Sequence, residues 1–486
     1  MFCFFKQVLV VVLLLAVYNA HAQKSNNRPK PNIIIINMDD MGYGDMEPYG
    51  ATGYATPNFN RLAKEGMRFT HFYAAQAVCS PSRAALLTGC YPNRIGMSGG
   101  ALMPWSPKAL NPEETTIASM LKNAGYNTAM FGKWHLGSKA PYWPLNYGFD
   151  QFYGIPYSHD MWPVDYDGTP VTDTANRLYR YPPLPLLDGD KKVATINTLN
   201  DQAKLTGAFT AKAVNYIKTN KSRPFFLYLA HPMPHVPLAA SPAFAGKSGA
   251  GVFGDVISEI DWSVGQVLDA VNNAGIAKNT LIIVTSDNGP WLSFGNHAGS
   301  SGGLREGKGT AWDGGTRVPL LVRWPGTVAA GSVNSALLTN MDILPTIAAA
   351  TGAVLPKEKI DGLNFLPVLT GKTDQSPREV FYVYYDANNL KLVRYKNWEL
   401  VLPHNSQAYS QGTPGKDGRP GPTPVKPVPM ALYNLTHDPG TTTDVQHLYP
   451  EMVQQIMVFV EQAREDLGDG LTNRKGKNIR KAAVVN

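Results

Sequence analysis

The sequence predicts an α/β protein: a mostly parallel sheet sandwiched by helices, with a smaller C-terminal subdomain built on an antiparallel sheet. Three observations point there. Apolar, β-branched runs recur at 31–36, 128–131, 224–230 and 281–286 without polar alternation, the pattern of strands buried on both faces of a parallel sheet. Helical periodicity lies between such runs, most clearly at 255–272, where Ile257, Ile260, Val264, Val267, Leu268 and Val271 recur near a 3.6-residue period. Beyond Gly371 the pattern shifts to short strands at 380–385, 390–395 and 398–402, with a closing helix near 452–463. In open α/β sheets ligands bind beyond the C-terminal ends of the strands, so those ends are where chemistry is expected.

Taken in chain order, residues 1–22 combine Lys6, an apolar stretch from Val8 to Val17 and the small-residue site Ala20-His21-Ala22, which reads as a cleaved secretory signal. No other run approaches the roughly 20 apolar residues of a membrane span. The first strand ends at Asp39-Asp40. Two adjacent carboxylates repel each other and are costly to desolvate, so a divalent cation between them is the reading that accounts for the pair. The 281–286 strand ends likewise in Asp287-Asn288-Gly289. Four oxygen donors from two strand ends suit Ca²⁺ or Mg²⁺ and suit zinc poorly. Between these strands, Gly132-Lys133-Trp134-His135-Leu136-Gly137 follows the 128–131 run, and alternation along an extended segment sends Lys133 and His135 to one side. The 224–230 strand runs into His231-Pro232-Met233-Pro234-His235, and a Gly307-Lys308-Gly309 turn follows further on. The stretch 341–351 reads as another helix. Division at 23–375 for a catalytic domain and 376–486 for the C-terminal subdomain follows from the change of pattern.

Cys79-Ser80-Pro81-Ser82-Arg83, followed by Thr88-Gly89, is the most telling segment. It resembles the signature of the formylglycine-dependent sulfatases, and the other motifs occur in the order that family has them. Leu145 to Asp150, Gly154 to Asp160 and Leu432 to Leu435 extend the resemblance over nearly the whole chain, closest to the arylsulfatase A-like branch. The resemblance implies an alkaline-phosphatase-like fold and a sulfuric-ester hydrolase. It implies that Cys79 is converted by a formylglycine-generating maturation enzyme to 3-oxoalanine, whose hydrate attacks sulfur in line and forms a sulfated enzyme. It further implies that Arg83 and Lys133 stand beside the nucleophile, that Lys308 or His235 assists departure of the alcohol, and that His135 takes the proton that releases sulfate. Asp39, Asp40, Asp287, Asn288 and the converted Cys79 would hold Ca²⁺, or Mg²⁺. Ser158 and His159 are carried over as substrate contacts. His231 has no counterpart and reads as structural. Cys90, where many relatives carry arginine, and Thr441-Thr442-Thr443, in place of an acidic stretch, depart from the pattern without touching this set.

Composition agrees with an exported enzyme, secreted or periplasmic. Loss of the signal removes Lys6 and Cys3, lowering the formal charge from +7 to +6 and leaving Cys79 and Cys90 as the remaining cysteines, so no disulfide framework is available. The modest basic excess suits an anionic substrate, and no nucleic-acid module is visible. A sulfated carbohydrate is the leading substrate class, with aryl sulfates as model substrates. The alternatives are a phosphomonoester or phosphonate-ester hydrolase on the same fold and, if Cys79 stays unmodified, a non-catalytic glycan-binding protein. Gly412 to Thr423 repeats glycine every third residue, too briefly for a collagen helix, and reads as a stiff loop near the substrate cleft. The basic tail 474–481 reads as solvated.

Overall fold

The computed structural model describes residues 30–485, and the predicted signal at 1–22 lies outside them. Five neighbouring strands run parallel through the middle of a ten-stranded sheet, in the spatial order Thr280–Ser286, Asn32–Met38, Phe225–Ala230, Asn127–Lys133, Gln151–Ile155. Antiparallel strands extend both sides: Leu320–Arg323 and Met67–Phe69 on one, the hairpin of Leu184–Asp188 and Lys191–Ile196 on the other. The sequence analysis did not mark these edge strands, which are short or carry polar residues.

The run Ile33 to Ile36 shows why the central strands are apolar throughout. Successive side chains leave opposite faces of a sheet. Ile34 and Ile36 enter a core shared with the helices Leu205–Asn220 and Gly251–Asn273, while Ile33 and Ile35 enter a second core shared with the helices Cys79–Thr88 and Ile343–Thr351. Each such side chain, fully buried, contributes about 1.5–3 kcal/mol. The predicted helical stripe on Gly251–Asn273 is buried at all six of its apolar positions. The 341–351 stretch splits into a 3₁₀ turn, Asn340–Asp342, and the helix proper, because the Asp342 carboxylate caps back onto the Thr339 amide at 2.7 Å.

The C-terminal subdomain is an antiparallel sheet ordered Val380–Tyr385, Asn389–Tyr395, Trp398–Val401, Ala431–Asn434. The helix Pro450–Asp466 covers it through Ile456, Val460 and Ala463, a third core. No helix among the described residues is long and apolar enough to cross a membrane.

The basic tail is not a free end. Ala483–Val484 pairs antiparallel with Lys108–Ala109, and Arg480 reaches both Glu114 at 2.7 Å and the Cys90 sulfur at 3.3 Å. A guanidinium thus lies against Cys90 after all, delivered from the tail. Next to it the buried Arg94 forks onto Asp361 with two bonds of 2.7 Å and reaches Asp466 of the closing helix at 2.6 Å. This ties the two subdomains together. Removing one partner of a buried ion pair strands the other charge, so Arg94→Ala is expected to lower unfolding free energy by about 3 kcal/mol. Arg94→Lys should fall between, since lysine keeps the charge and loses the fork. Denaturant titration of the three proteins checks this; a loss under about 1 kcal/mol for Arg94→Ala would contradict a pair that costly to break.

Candidate active site

Three strand ends and one helix start converge on a single point. The strand Asn32–Met38 delivers Asp39 and Asp40, the strand Thr280–Ser286 delivers Asp287 and Asn288, and the strand Asn127–Lys133 delivers Lys133. Gly132, with φ 118°, is required there: a Cβ would lie 1.9 Å from the Ala230 carbonyl oxygen, so no other residue lets the strand deliver Lys133 so close to its neighbour.

Cys79 is the first residue of the helix Cys79–Thr88, which is buried along its whole length. Val78 before it is extended, and Pro81 falls in the first turn, where the missing N–H is not needed. Gly89 stops the helix in the left-handed conformation at φ 68° and donates its N–H to the Ala85 carbonyl at 2.9 Å. The chain therefore presents residue 79 at the positive end of a helix dipole. Ser82, one turn on, donates to the Asp287 carbonyl, and Ser80 accepts the Leu102 N–H at 2.9 Å, fixing the helix over the strand ends.

Around this point three carboxylates meet three cations. Arg83 donates from Nε to Asp287 at 2.9 Å and lies 3.6 Å from Asp39. Lys133 pairs with Asp39 and donates to the Ser158 hydroxyl at 2.9 Å. Lys308 pairs with Asp40 at 2.7 Å and lies over the Trp291 ring at 4.8 Å. Asn288 Nδ2 donates to Asp40 at 2.7 Å, the Asp40 N–H donates to Asp287 at 3.1 Å, and His235 Nε2 is 3.6 Å from Asp40. Asp40 and His135 hold left-handed φ values of 61° and 63°, uncommon for residues with a side chain and costly enough to need support from the surrounding packing.

The electrostatics follow from burial. Burial alone raises the Asp39 carboxyl, and Lys133 with Arg83 reverses this and holds it well below the usual carboxylate range. Asp287 is pushed up to about 7 by burial and then by the charge of Asp39. Like charges in that position are relieved by a cation. Asp39 Oδ1 and Asn288 Oδ1 are both buried with no hydrogen-bond partner, and Asp39, Asp40 and His235 offer ligand atoms within 4.8 Å of one another. Two orphaned acceptors among oxygen donors fit a hard divalent ion. His135 is held well below the ordinary histidine value by burial, then by Lys133 and Arg83.

The pocket that opens onto Cys79 measures about 180 Å³. Cys79, Ser158, His235 and Lys308 line it; Arg83, Lys133 and His135 lie in the fully buried layer behind. Two expectations need correction. The extended segment ends at Lys133, so simple alternation does not carry to His135, whose left-handed backbone sends Nε2 to the Leu102 carbonyl at 2.9 Å. His159 does not line the pocket: it is buried behind His235, with Nε2 2.9 Å from the His235 carbonyl and the two rings edge to face at 5.4 Å. His231 contacts Ser263 at 3.0 Å, away from the site, as a structural histidine does.

Sequence reasoning missed part of the wall. Asp160 sits in the quoted 154–160 segment, but Arg177, Trp291, Tyr385, Gln407 and Tyr409 also line the pocket. The last three come from the C-terminal subdomain, and no local pattern announces a contact made by docking. The Gly412 to Thr423 loop borders a larger neighbouring groove of about 600 Å³, which shares Tyr409 with the pocket.

A sulfatase family model, "Sulfatase", matches residues 31–353. The chain belongs to the sulfatase family. It is 38% identical to human arylsulfatase A over 449 residues, 88% of this chain and 86% of the relative. It is 37% identical to mouse N-acetylgalactosamine-6-sulfatase over 433 residues, 86% and 79% of the two chains. The solved structure of the PsFucS1 sulfatase from Pseudoalteromonas sp. superposes with a TM-score of 0.79 at 28% identity, covering 92% and 93% of the two chains. This sulfatase is thus a sulfuric-ester hydrolase, with the alkaline-phosphatase-like fold its motifs led us to expect.

The sulfatase's cysteine is a poor nucleophile as a thiol. Burial raises it to about 11, against the opposing pull of Lys133 and Lys308. At pH 8 roughly one molecule in a thousand would carry the thiolate. Protein purified with Cys79 unmodified is therefore expected to resist iodoacetamide at pH 8 when folded and to react fully in denaturant, as read by peptide mass. Rapid alkylation of the folded protein at residue 79 would refute this environment.

Proposed function

We propose that this sulfatase hydrolyses sulfate esters of carbohydrates, using Cys79 in its formylglycine form beside Ca²⁺ or Mg²⁺, after export from the cell. The observation that carries the reading is the placement of Cys79 at a helix start, on a pocket that has Lys308 on its wall and, buried behind it, Lys133, Arg83 and two orphaned oxygen acceptors, Asp39 Oδ1 and Asn288 Oδ1. The carbohydrate is supported by the name of the N-acetylgalactosamine-6-sulfatase relative.

Hydrated formylglycine would supply the attacking oxygen that the thiol lacks. A cation held by Asp39, Asp40, Asp287 and Asn288 would act as a Lewis acid toward the sulfate oxygens. The remaining work belongs to side chains already in place. Lys133 and Arg83 are fixed before substrate arrives, the preorganisation that makes electrostatic stabilisation effective. Burial opposes the charge on Lys308, but Asp40 and then Cys79 raise its pKa above the ordinary lysine value, so it stays an ammonium at the wall, where it can hold a departing alkoxide. His235 directs Nδ1 to the Val236 carbonyl, leaving Nε2 toward Asp40 and the pocket. With Nε2–H donated to Leu102, His135 has its buried Nδ1 unprotonated and without a partner, the atom suited to accept a proton. The lowered pKa keeps it in that neutral form.

Peptide mass spectrometry of the active protein should show residue 79 as an aldehyde or its hydrate, and Cys79→Ala should abolish turnover without unfolding the protein. A thiol at residue 79 in fully active enzyme would overturn the reading. Chelation should lower activity, with recovery on adding Ca²⁺ or Mg²⁺ and loss of that recovery in Asp287→Ala.

Lys308→Ala should slow hydrolysis of sugar sulfates by at least about 10²-fold, the low end for removing a general acid or base. Aryl sulfates should suffer less, because phenolate needs little help to leave. Equal losses on both esters would place Lys308 elsewhere in the reaction.

A further inference from the structure

The pocket above Cys79 has a second polar wall that no step of sulfate ester hydrolysis uses. Asp160 follows Ser158 by two residues in the loop that also shapes the floor, and its side chain lines the pocket, half-buried. The Ser158 hydroxyl supports the carboxylate and Oδ2 has a long contact of 3.4 Å from the Tyr166 hydroxyl, while Oδ1 is buried and accepts no hydrogen bond. A carboxylate has about four acceptor sites and is costly to leave unsatisfied away from water. The fold therefore holds an acceptor for a donor that arrives with a ligand. Burial raises the Asp160 carboxyl, but His235 and then Lys133 lower it to about 2, so it is ionised at neutral pH and can only accept.

Arg177 lines the same pocket and supplies the opposite chemistry. Among the described residues it forms no ion pair, unlike Arg83, Lys133 and Lys308, each of which has a carboxylate. Its position is nonetheless fixed. Asn176 caps the short 3₁₀ turn at Leu178 N with 3.0 Å, and Nη1 donates to the Tyr181 hydroxyl at 3.1 Å while the guanidinium lies 5.8 Å from that ring. The guanidinium also bonds the Tyr166 hydroxyl that touches Asp160, leaving its remaining N–H groups for a ligand. Tyr181 in turn stacks on Trp105 at 5.0 Å. Trp291, 5.7 Å from the His235 ring, forms another part of the wall.

An exposed guanidinium with N–H groups to spare, a carboxylate with one unpaired oxygen and aromatic surfaces are what a polyhydroxylated ring requires: hydroxyls to pair with charge, and C–H faces to lie on rings. An aryl group offers no hydroxyl to either charge. At about 180 Å³ the pocket is below the roughly 300–1,000 Å³ usual for ligand sites, so it accommodates the sulfated residue and little more.

We propose that Asp160 and Arg177 are specificity-determining residues that read hydroxyl groups of the sugar ring carrying the scissile ester, Asp160 accepting and Arg177 donating. The proposal rests on the carbohydrate reading above and adds to it the side chains that would select the sugar.

The test compares kcat/KM on an aryl sulfate with kcat/KM on a panel of monosulfated monosaccharides and their singly deoxygenated analogues, for the wild type, Asp160→Asn and Arg177→Ala. The sugar-to-aryl ratio should fall by about 10-fold or more in each variant, the effect of one lost hydrogen bond to a charged group. Deoxygenation at the position Asp160 reads should cost the wild type a similar factor and cost Asp160→Asn almost nothing further. Aryl sulfate turnover by the same preparations reports whether each variant is folded with its reactive centre intact. If the wild type hydrolyses sugar sulfates and both variants keep its ratio within about twofold, the assignment of Asp160 and Arg177 falls while the carbohydrate reading stands. If the wild type hydrolyses aryl sulfates and no sugar sulfate, the carbohydrate reading fails and takes the assignment with it.

Discussion

Burying Asp39, Asp40 and Asp287 together is sustainable because Arg83, Lys133 and Lys308 are buried with them, and much of the architecture serves that pairing. An isolated carboxylate in a low-dielectric interior would take a proton rather than stay charged. Three carboxylates against three cations leave the cluster neutral before a divalent ion enters. A divalent ion there would leave an excess of two positive charges, which would suit a site that receives an anionic ester and stabilises further charge on its oxygens. The parallel sheet brings adjacent strand ends to one point, and the buried Cys79 helix closes over them.

The same pairing explains why the machinery sits in two layers. Arg83, Lys133 and His135 are sealed beneath the pocket and tuned by one another, while Lys308, His235, Asp160 and Arg177 reach its wall. Groups in the sealed layer cannot readjust without breaking buried ion pairs, so their geometry does not depend on which ester arrives. The outer wall at Arg177 is held by weaker, more local contacts, such as the capped turn under Arg177 and the stacked Tyr181 and Trp105, whereas Lys308 keeps its ion pair with Asp40.

What the sequence made legible follows this division. The buried strands were readable because a strand covered on both faces must be apolar at every position, and Ile33 to Ile36 and Leu281 to Val284 are. Carboxylates at their ends stood out because nothing in a core explains them. The edge hairpin at 184–196 was not legible, since its second strand carries Lys191, Lys192 and an exposed Val193 in no regular alternation. His159 was carried over with Ser158 from the resemblance as a substrate contact, yet a loop gives no rule for which neighbour faces the cavity. The tail's Arg474, Lys475, Lys477 and Lys481 are exposed, as its composition indicates; its ion pairs with Glu114, Glu461 and Glu465 were not legible because those partners lie on other elements and are joined to it by folding alone.

The docking of that tail has a consequence in time. Residues 483–484 complete a strand pair with residues 108–109, and the backbone of Asn478 supplies an acceptor for Arg94 at 2.8 Å, so contacts around the early part of the chain wait for its last residues. During synthesis roughly 200 residues separate Cys79 from Asp287, about 10–40 s at about 5–20 residues per second. For that time the helix start at Cys79 lacks the strand end at Asp287 that encloses it. Once the polypeptide is released and closes, the thiol is 1% exposed. Any catalyst that converted Cys79 would therefore have to reach it on the growing or unfolded chain, before the helix start is enclosed.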